Sequence, residues 1–184
     1  MAKVYSFFAD GLEEIEALTP VDFLRRAGHT VKTVSIMGRN QIHGSNGIEI
    51  LADVLFEETD FSDGDLFILP GGGEGTQNLS THEPLLNLIR KKYAEGKRVA
   101  AICAAPKILA RLGLLEGKKA TIYPGTEEQL DTTAEWQDVP AVTDGLITTG
   151  HGAGAALDFG LELIRVLNGE EAAAGMKKQI VFQH

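Results

Sequence analysis

The single cysteine of the chain, Cys103, stands where a nucleophile would be wanted. It follows the apolar run Arg98–Ile102 and precedes Ala104-Ala105-Pro106, with Ala100 and Ala101 also close by. A sharp strand-to-helix turn has no room for bulk, so small residues on both sides of a cysteine are what a nucleophile elbow requires. Pro106 suits the first turn of a helix, where its missing N–H costs nothing. Cys103 is therefore expected just before a helix N-terminus, whose dipole and free amides stabilise a thiolate and lower the thiol pKa. The Ala104 amide is placed to donate to an oxyanion. The competing reading is a buried structural cysteine, a common fate of this residue type. Its place at the carboxyl end of a strand argues for the functional one.

Three other segments carry chemistry-bearing residues. Pro70-Gly71-Gly72-Gly73-Glu74-Gly75 lacks the Lys-Ser/Thr of a phosphate-binding loop, which argues against nucleotide binding. Its backbone N–H groups can instead face an anion, with Gly72 the expected donor. After the turn Asp10-Gly11, helical spacing puts Glu16 on a face with Leu12, Ile15 and Thr19, while Glu13 and Glu14 read as solvated. A core-facing carboxyl near a strand end has a raised pKa, and protonated it can bond a sulfur or move a proton. Thr19-Pro20 predicts a kink or break in that helix. The run from Gly150 to Ala155 has a G-x-G-x-x-A spacing, but no partner strand or acidic ribose ligand follows, so no dinucleotide is expected. His151 in that run falls on the same rim as Cys103; His29, His43, His82 and His184 lie in turns or the tail and carry no signal.

The elements that must position these residues follow from periodicity. Short apolar strands are expected at Val4–Phe8, Val31–Ile36, Leu66–Leu69, Arg98–Ile102, Ala120–Tyr123 and Leu146–Thr149, with a hairpin strand at Ile48–Ala52. Helices are expected at Leu12–Ala27, Glu83–Ala94, Pro106–Leu112 and Ala155–Leu167, the last stopped by Asn168-Gly169. The alternation predicts a single domain over residues 1–184, an α/β fold whose parallel sheet is covered on both faces. Sites in such sheets form beyond the carboxyl ends of strands, so the loops after Phe8, Leu69, Ile102 and Thr149 are the places to look.

Bulk properties narrow the function. A formal net charge of -9 argues against a nucleic acid or an anionic membrane as partner. One cysteine allows no internal disulfide and no cysteine cluster for zinc. The apolar run near Met1 is too short for a signal peptide, and no stretch approaches a membrane span, so a cytoplasmic location is expected.

Several blocks in order resemble the ThiJ/PfpI superfamily, and within it the DJ-one branch: the run from Asp10 to Glu16, Pro20-Val21-Asp22, Leu69-Pro70-Gly71-Gly72, the run from Ala100 to Pro106, the run from Asp144 to Thr149, and Leu167-Asn168-Gly169. The resemblance implies a flavodoxin-like three-layer sandwich with a mainly parallel sheet, like the class I glutamine amidotransferases, and a homodimer. It implies a readily oxidised Cys103, a protonated Glu16 bonded to its sulfur, and an anion pocket from the Gly72 and Ala104 amides. It implies cofactor-free, metal-free glyoxalase or deglycase action on methylglyoxal, related 2-oxoaldehydes or glycated adducts. The alternative is an oxidative-stress sensor or chaperone-like protein working through a Cys103 sulfinate. Three departures stand out. The family's pattern has His where Tyr123 stands, and a phenol of pKa about 10 is a poor base at neutral pH. Asn46 replaces an Arg, weakening sulfinate stabilisation, and Ala104 replaces the His that follows the cysteine in the protease branch.

Overall fold

The computed structural model describes residues 1–130 and 133–183, so His184 lies outside the described residues. The chain runs β1 (Lys3–Phe8), α1 (Glu14–Arg26), β2 (Thr30–Ser35), β3 (Gln41–His43), β4 (Glu49–Leu51), β5 (Val54–Leu55), β6 (Leu66–Leu69), α2 (Gly73–Thr81), α3 (Glu83–Ala94) and β7 (Arg98–Ile102). It continues α4 (Pro106–Arg111), β8 (Lys119–Ala120), β9 (Glu135–Trp136), β10 (Ala141–Asp144), β11 (Ile147–Gly150), α5 (Ala156–Asn168) and α6 (Glu170–Gln179). The central sheet has the order β10-β11-β7-β6-β1-β2-β5. Every pairing in it is parallel except the β10–β11 edge.

Period-two alternation assigns the strand side chains to two cores. Tyr5, Phe7, Phe67, Leu69, Val99 and Ala101 pack on one face, under Leu79, Leu85, Ile89, Ile108 and Leu109 of α2, α3 and α4. Val4, Phe8, Leu66, Ile68, Ala100 and Ile102 pack on the other, against Ala17, Val21, Leu24, Phe159, Leu163 and Met176 of α1, α5 and α6. Three layers result because strands apolar on both faces must be covered twice, each buried large side chain contributing roughly 1.5–3 kcal/mol. Among the described residues no helix is long and apolar enough to cross a membrane.

Several sequence expectations need correction. Helix α1 runs through Pro20 without a break. The missing N–H gives up only the bond to the Glu16 carbonyl, and burial of Val21, Phe23 and Leu24 holds the helix together. The strand expected at Ala120–Tyr123 is only Lys119–Ala120, and it pairs with β9 in a separate two-stranded sheet. The glycine segment opens helix α2, because Gly72 at φ 91 acts as its N-cap and Gly73 is the first helical residue. Asn168-Gly169 does stop α5, but with Gly169 at φ 93 the chain starts α6 at once. The hairpin expected around Ile48–Ala52 is present as β3 and β4.

Strands β11, β7, β6 and β1 are consecutive in the sheet, so the loops after Gly150, Ile102, Leu69 and Phe8 emerge side by side. That ordering brings sequence-distant residues into one place.

Candidate active site

Cys103 is a non-glycine residue with φ 64, in the left-handed region. That conformation costs on the order of 1–3 kcal/mol and persists only where the surroundings hold it. They do so here: the Cys103 N–H donates to the Gly150 carbonyl at 2.9 Å, and the Cys103 carbonyl accepts from the Tyr123 N–H at 2.9 Å. The Ala105 N–H closes the turn onto the Ile102 carbonyl at 3.1 Å, and α4 begins at Pro106. The elbow inferred from the small residues around Cys103 is present in the backbone.

Glu16 reaches the same point from α1. The helix start is tied to the glycine segment, since the Glu13 N–H donates to the Gly71 carbonyl at 3.1 Å and the Gly75 N–H to the Gly11 carbonyl at 3.0 Å. Glu13 caps the helix, its carboxylate accepting from the Glu16 N–H at 2.8 Å. This fixes the rotation of α1 and turns Glu16 inward, leaving it 1% exposed. Its Oε2 is sealed from solvent without a well-aligned hydrogen bond. Cys103 and the Gly71 and Ala153 amides still act on the carboxyl. Loose contacts of this kind are common before substrate binds.

Burial pushes the Glu16 carboxyl up to about 7, the Cys103 contact opposes this, the Glu13 charge adds to it, and the Gly71 and Ala153 amides pull it back. Burial likewise pushes the Cys103 thiol up, reinforced by the Glu16 charge; the Gly72 and Ala104 amides lower it, but by less. The expectation of a depressed thiol pKa is therefore corrected. The amides are where the sequence put them, but desolvation at 9% exposure and a facing carboxylate outweigh them. The two groups titrate as a pair: when Glu16 is neutral its charge no longer opposes the thiolate, and only burial is left against the amides.

Tyr123 and His151 share the wall of an adjoining cavity of about 540 Å³. A Cβ at Gly152 would meet the Tyr123 ring at 3.4 Å and Glu16 Oε1 at 3.8 Å, so the buried Glu16 carboxyl lies directly behind the Gly152 wall of this cavity. The groups acting on the Cys103 sulfur are Glu16, Gly72 and Ala104. His151 instead faces Asp138, with 3.7 Å between Nε2 and Oδ1.

Two readings of the first helix are overturned. Glu14 is not solvated but 4% exposed, accepting from the Asn46 N–H and Nδ2 at 2.8 Å each. Ile15 is the exposed neighbour, at 54%. The β3–β4 hairpin folds over the helix start and covers Glu14, which periodicity within α1 cannot reveal. Asn46 thus binds Glu14. Sequence reasoning also passed over Gly71: a Cβ there would sit 2.2 Å from Glu16 Oε2 and 2.5 Å from Cys103 Cβ. The available signal was a glycine directly after strand and proline, where close approach is the usual reason. Outside the site, His82 caps α3 by accepting from the Leu85 N–H, and His29 bridges the Ala2 N–H and Asn168.

With this geometry in hand, comparison with known proteins is informative. The sequence model of the DJ-1/PfpI family matches residues 2–166. Protein DJ-1 homolog B of Arabidopsis thaliana is 36% identical over 98% of this chain and 42% of its own length. The chain spans less than half the length of the two Arabidopsis relatives it matches. A Pyrococcus horikoshii protein named a deglycase is 34% identical over 78% of this chain and 86% of its own. The solved structure of oxidized Toxoplasma gondii DJ-1 superposes with a TM-score of 0.94 at 32% identity, covering 100% of both chains.

Proposed function

The chain belongs to the DJ-1/PfpI family, and from that membership we propose that it is a cysteine-dependent, cofactor-free enzyme converting 2-oxoaldehydes such as methylglyoxal, and their adducts, to 2-hydroxy acids. One observation carries the reading: a cysteine at a left-handed elbow, a buried carboxyl beside its sulfur, and two amides converging on it. Two archaeal relatives named deglycases, 34% and 31% identical, support it.

The chemistry follows from the paired titration. Near neutral pH the Glu16 carboxyl is part ionised while Cys103 keeps its proton. As the sulfur attacks the aldehyde carbon, the Glu16 carboxylate takes the thiol proton and the Gly72 and Ala104 amides receive the developing oxyanion. Protonation of that oxygen gives a hemithioacetal. Glu16, again ionised, removes the proton from the former aldehyde carbon and returns it to the neighbouring carbonyl carbon through an enediol. The first carbon is thereby oxidised to a thioester and the second reduced to an alcohol, so no external oxidant is needed. Water releases the 2-hydroxy acid and restores the thiol. The route uses one carboxyl in both directions and does not require Tyr123 to act as a base.

Incubation with methylglyoxal and quantification of lactate tests this. Lactate is expected to accumulate one-for-one with aldehyde consumed; an amount no greater than that formed by Cys103→Ser would overturn the reading. A second reading, oxidation of Cys103 to a sulfinate that signals oxidative stress, draws on the oxidized relative and on the same amide pair. Intact mass after mild peroxide, with no gain of two oxygens at Cys103, would remove it.

We propose also that the chain acts as a homodimer. Ile15, Leu18, Ile48 and Leu51 are all at least 40% exposed, and Glu14 holds the hairpin carrying Ile48 against α1. Sedimentation should give a dimer mass, and Ile15→Asp a monomer; a monomeric wild type would refute the assembly.

A further inference from the structure

On the reading above, the reacting carbonyl lies between Cys103 and Glu16, and the rest of a substrate must occupy the adjoining cavity. We propose that this cavity selects substrates whose far end carries a positive charge, a guanidinium or ammonium group, held by the Asp158 carboxylate and the face of the Tyr123 ring.

The cavity, about 540 Å³, is far larger than a three-carbon aldehyde needs and is of the size that takes an amino-acid side chain with its backbone. At one end Glu16 lies directly behind the Gly152 wall: a Cβ at Gly152 would meet the Tyr123 ring at 3.4 Å and Glu16 Oε1 at 3.8 Å, and Glu16 is 1% exposed with Oε2 lacking an aligned partner. Among the described residues Asp158 is the only carboxylate lining the cavity. It is half-buried, and among the described residues it has neither a hydrogen bond nor an ion pair. The cations nearby are occupied elsewhere. Arg165 is held by Glu162 through two bonds of 2.6 Å, and Lys177 lies 5.2 Å from the Phe182 ring centre. His151, the one basic side chain on the wall among the described residues, faces Asp138. Tyr123 is 51% exposed, and an aromatic face sharing a cavity with a carboxylate is a suitable receptor for an organic cation. The net charge of -9 also favours approach of such ligands.

Asp158 lies in the first turn of α5, where a carboxylate is favourable for the helix alone. The test separates that role from recognition. Binding of acetyl-arginine amide and acetyl-citrulline amide, equal in shape and differing in charge, is measured by calorimetry on the wild-type protein. Arginine is expected to bind about five- to tenfold tighter, as one partly exposed charge pair with an aromatic contact allows. The preference should vanish in Asp158→Asn and shrink in Tyr123→Leu and in high salt. Equal binding of the two amides, no binding of either at millimolar concentration, or an arginine preference that survives Asp158→Asn would overturn the proposal. A role confined to the helix predicts a lower Tm for Asp158→Asn with the binding ratio unmoved, which also counts against it. The inference rests on the proposed reaction only for its orientation. Lactate without charge discrimination removes the subsite alone, and charge discrimination without lactate removes the reaction alone.

Discussion

Cys103→Ser is expected to reduce lactate formation from methylglyoxal to background, and Glu16→Gln to lower kcat by about 10²–10⁴-fold. The serine variant loses the nucleophile. The glutamine variant keeps shape and hydrogen-bonding capacity but can neither accept the thiol proton nor carry it between the two substrate carbons. Its KM should change far less than its kcat, because Glu16 acts on protons in flight. The pair also predicts opposite effects on activity and stability. The folded-state pKa of Glu16 is raised from 4.5 to about 7. Its contribution to stability is therefore fully present below about pH 4.5 and is lost as the pH rises through about 7. At pH 8 the folded protein carries an ionised, buried carboxylate, a cost of at most about 3 kcal/mol. Glu16→Gln removes that cost, so the variant should be less active yet more resistant to denaturant than wild type at pH 8, with the gap closing at pH 5. Urea midpoints at the two pH values check this. A variant no more stable than wild type at pH 8 would mean that Glu16 is not desolvated as described.

Gly71→Ala should damage activity by about 100-fold or more while leaving the fold intact. The added methyl would sit 2.2 Å from Glu16 Oε2 and 2.5 Å from Cys103 Cβ, so the carboxyl and the elbow must both shift. Misplacement by an ångström at a reacting centre costs on the order of 10²-fold. The stability cost of overpacking is roughly 1–3 kcal/mol: the carboxyl can rotate away, but Cys103 Cβ yields only with a shift of the elbow backbone. Lactate production and thermal melts of Gly71→Ala, set against an exposed control away from the cavity such as Gly175→Ala, separate the two effects. Near-normal turnover by Gly71→Ala would show that the carboxyl and the sulfur need not be apposed.

Much of the architecture was legible because it depends on local patterning. The strands at Val4–Phe8, Leu66–Leu69 and Arg98–Ile102 are apolar runs, and an apolar run in a parallel sheet looks the same wherever it sits. The elements that escaped, α2, α6, β5, β9 and β10, are those whose sequences carry weak signals: a helix opening on glycines, a helix restarting directly after a glycine stop, two-residue strands, and a half-buried strand at the sheet edge.

The amino-acid sequence by itself determined the alternation that builds a doubly covered sheet, the small residues that permit a tight elbow at Cys103, and the identity of the carboxyl and amides around it. Only the tertiary structure decided the charge state of the centre. Glu16 and Cys103 are 87 positions apart, and the balance of burial, a facing carboxylate and two amides depends on distances between loops of different strands. The same holds for Glu14, buried by the turn of a hairpin some thirty residues away, and for Asp158, which lines the cavity without a partner among the described residues. Desolvation and Coulomb interaction act through space, so a local pattern can name the groups but cannot say which of them holds the proton.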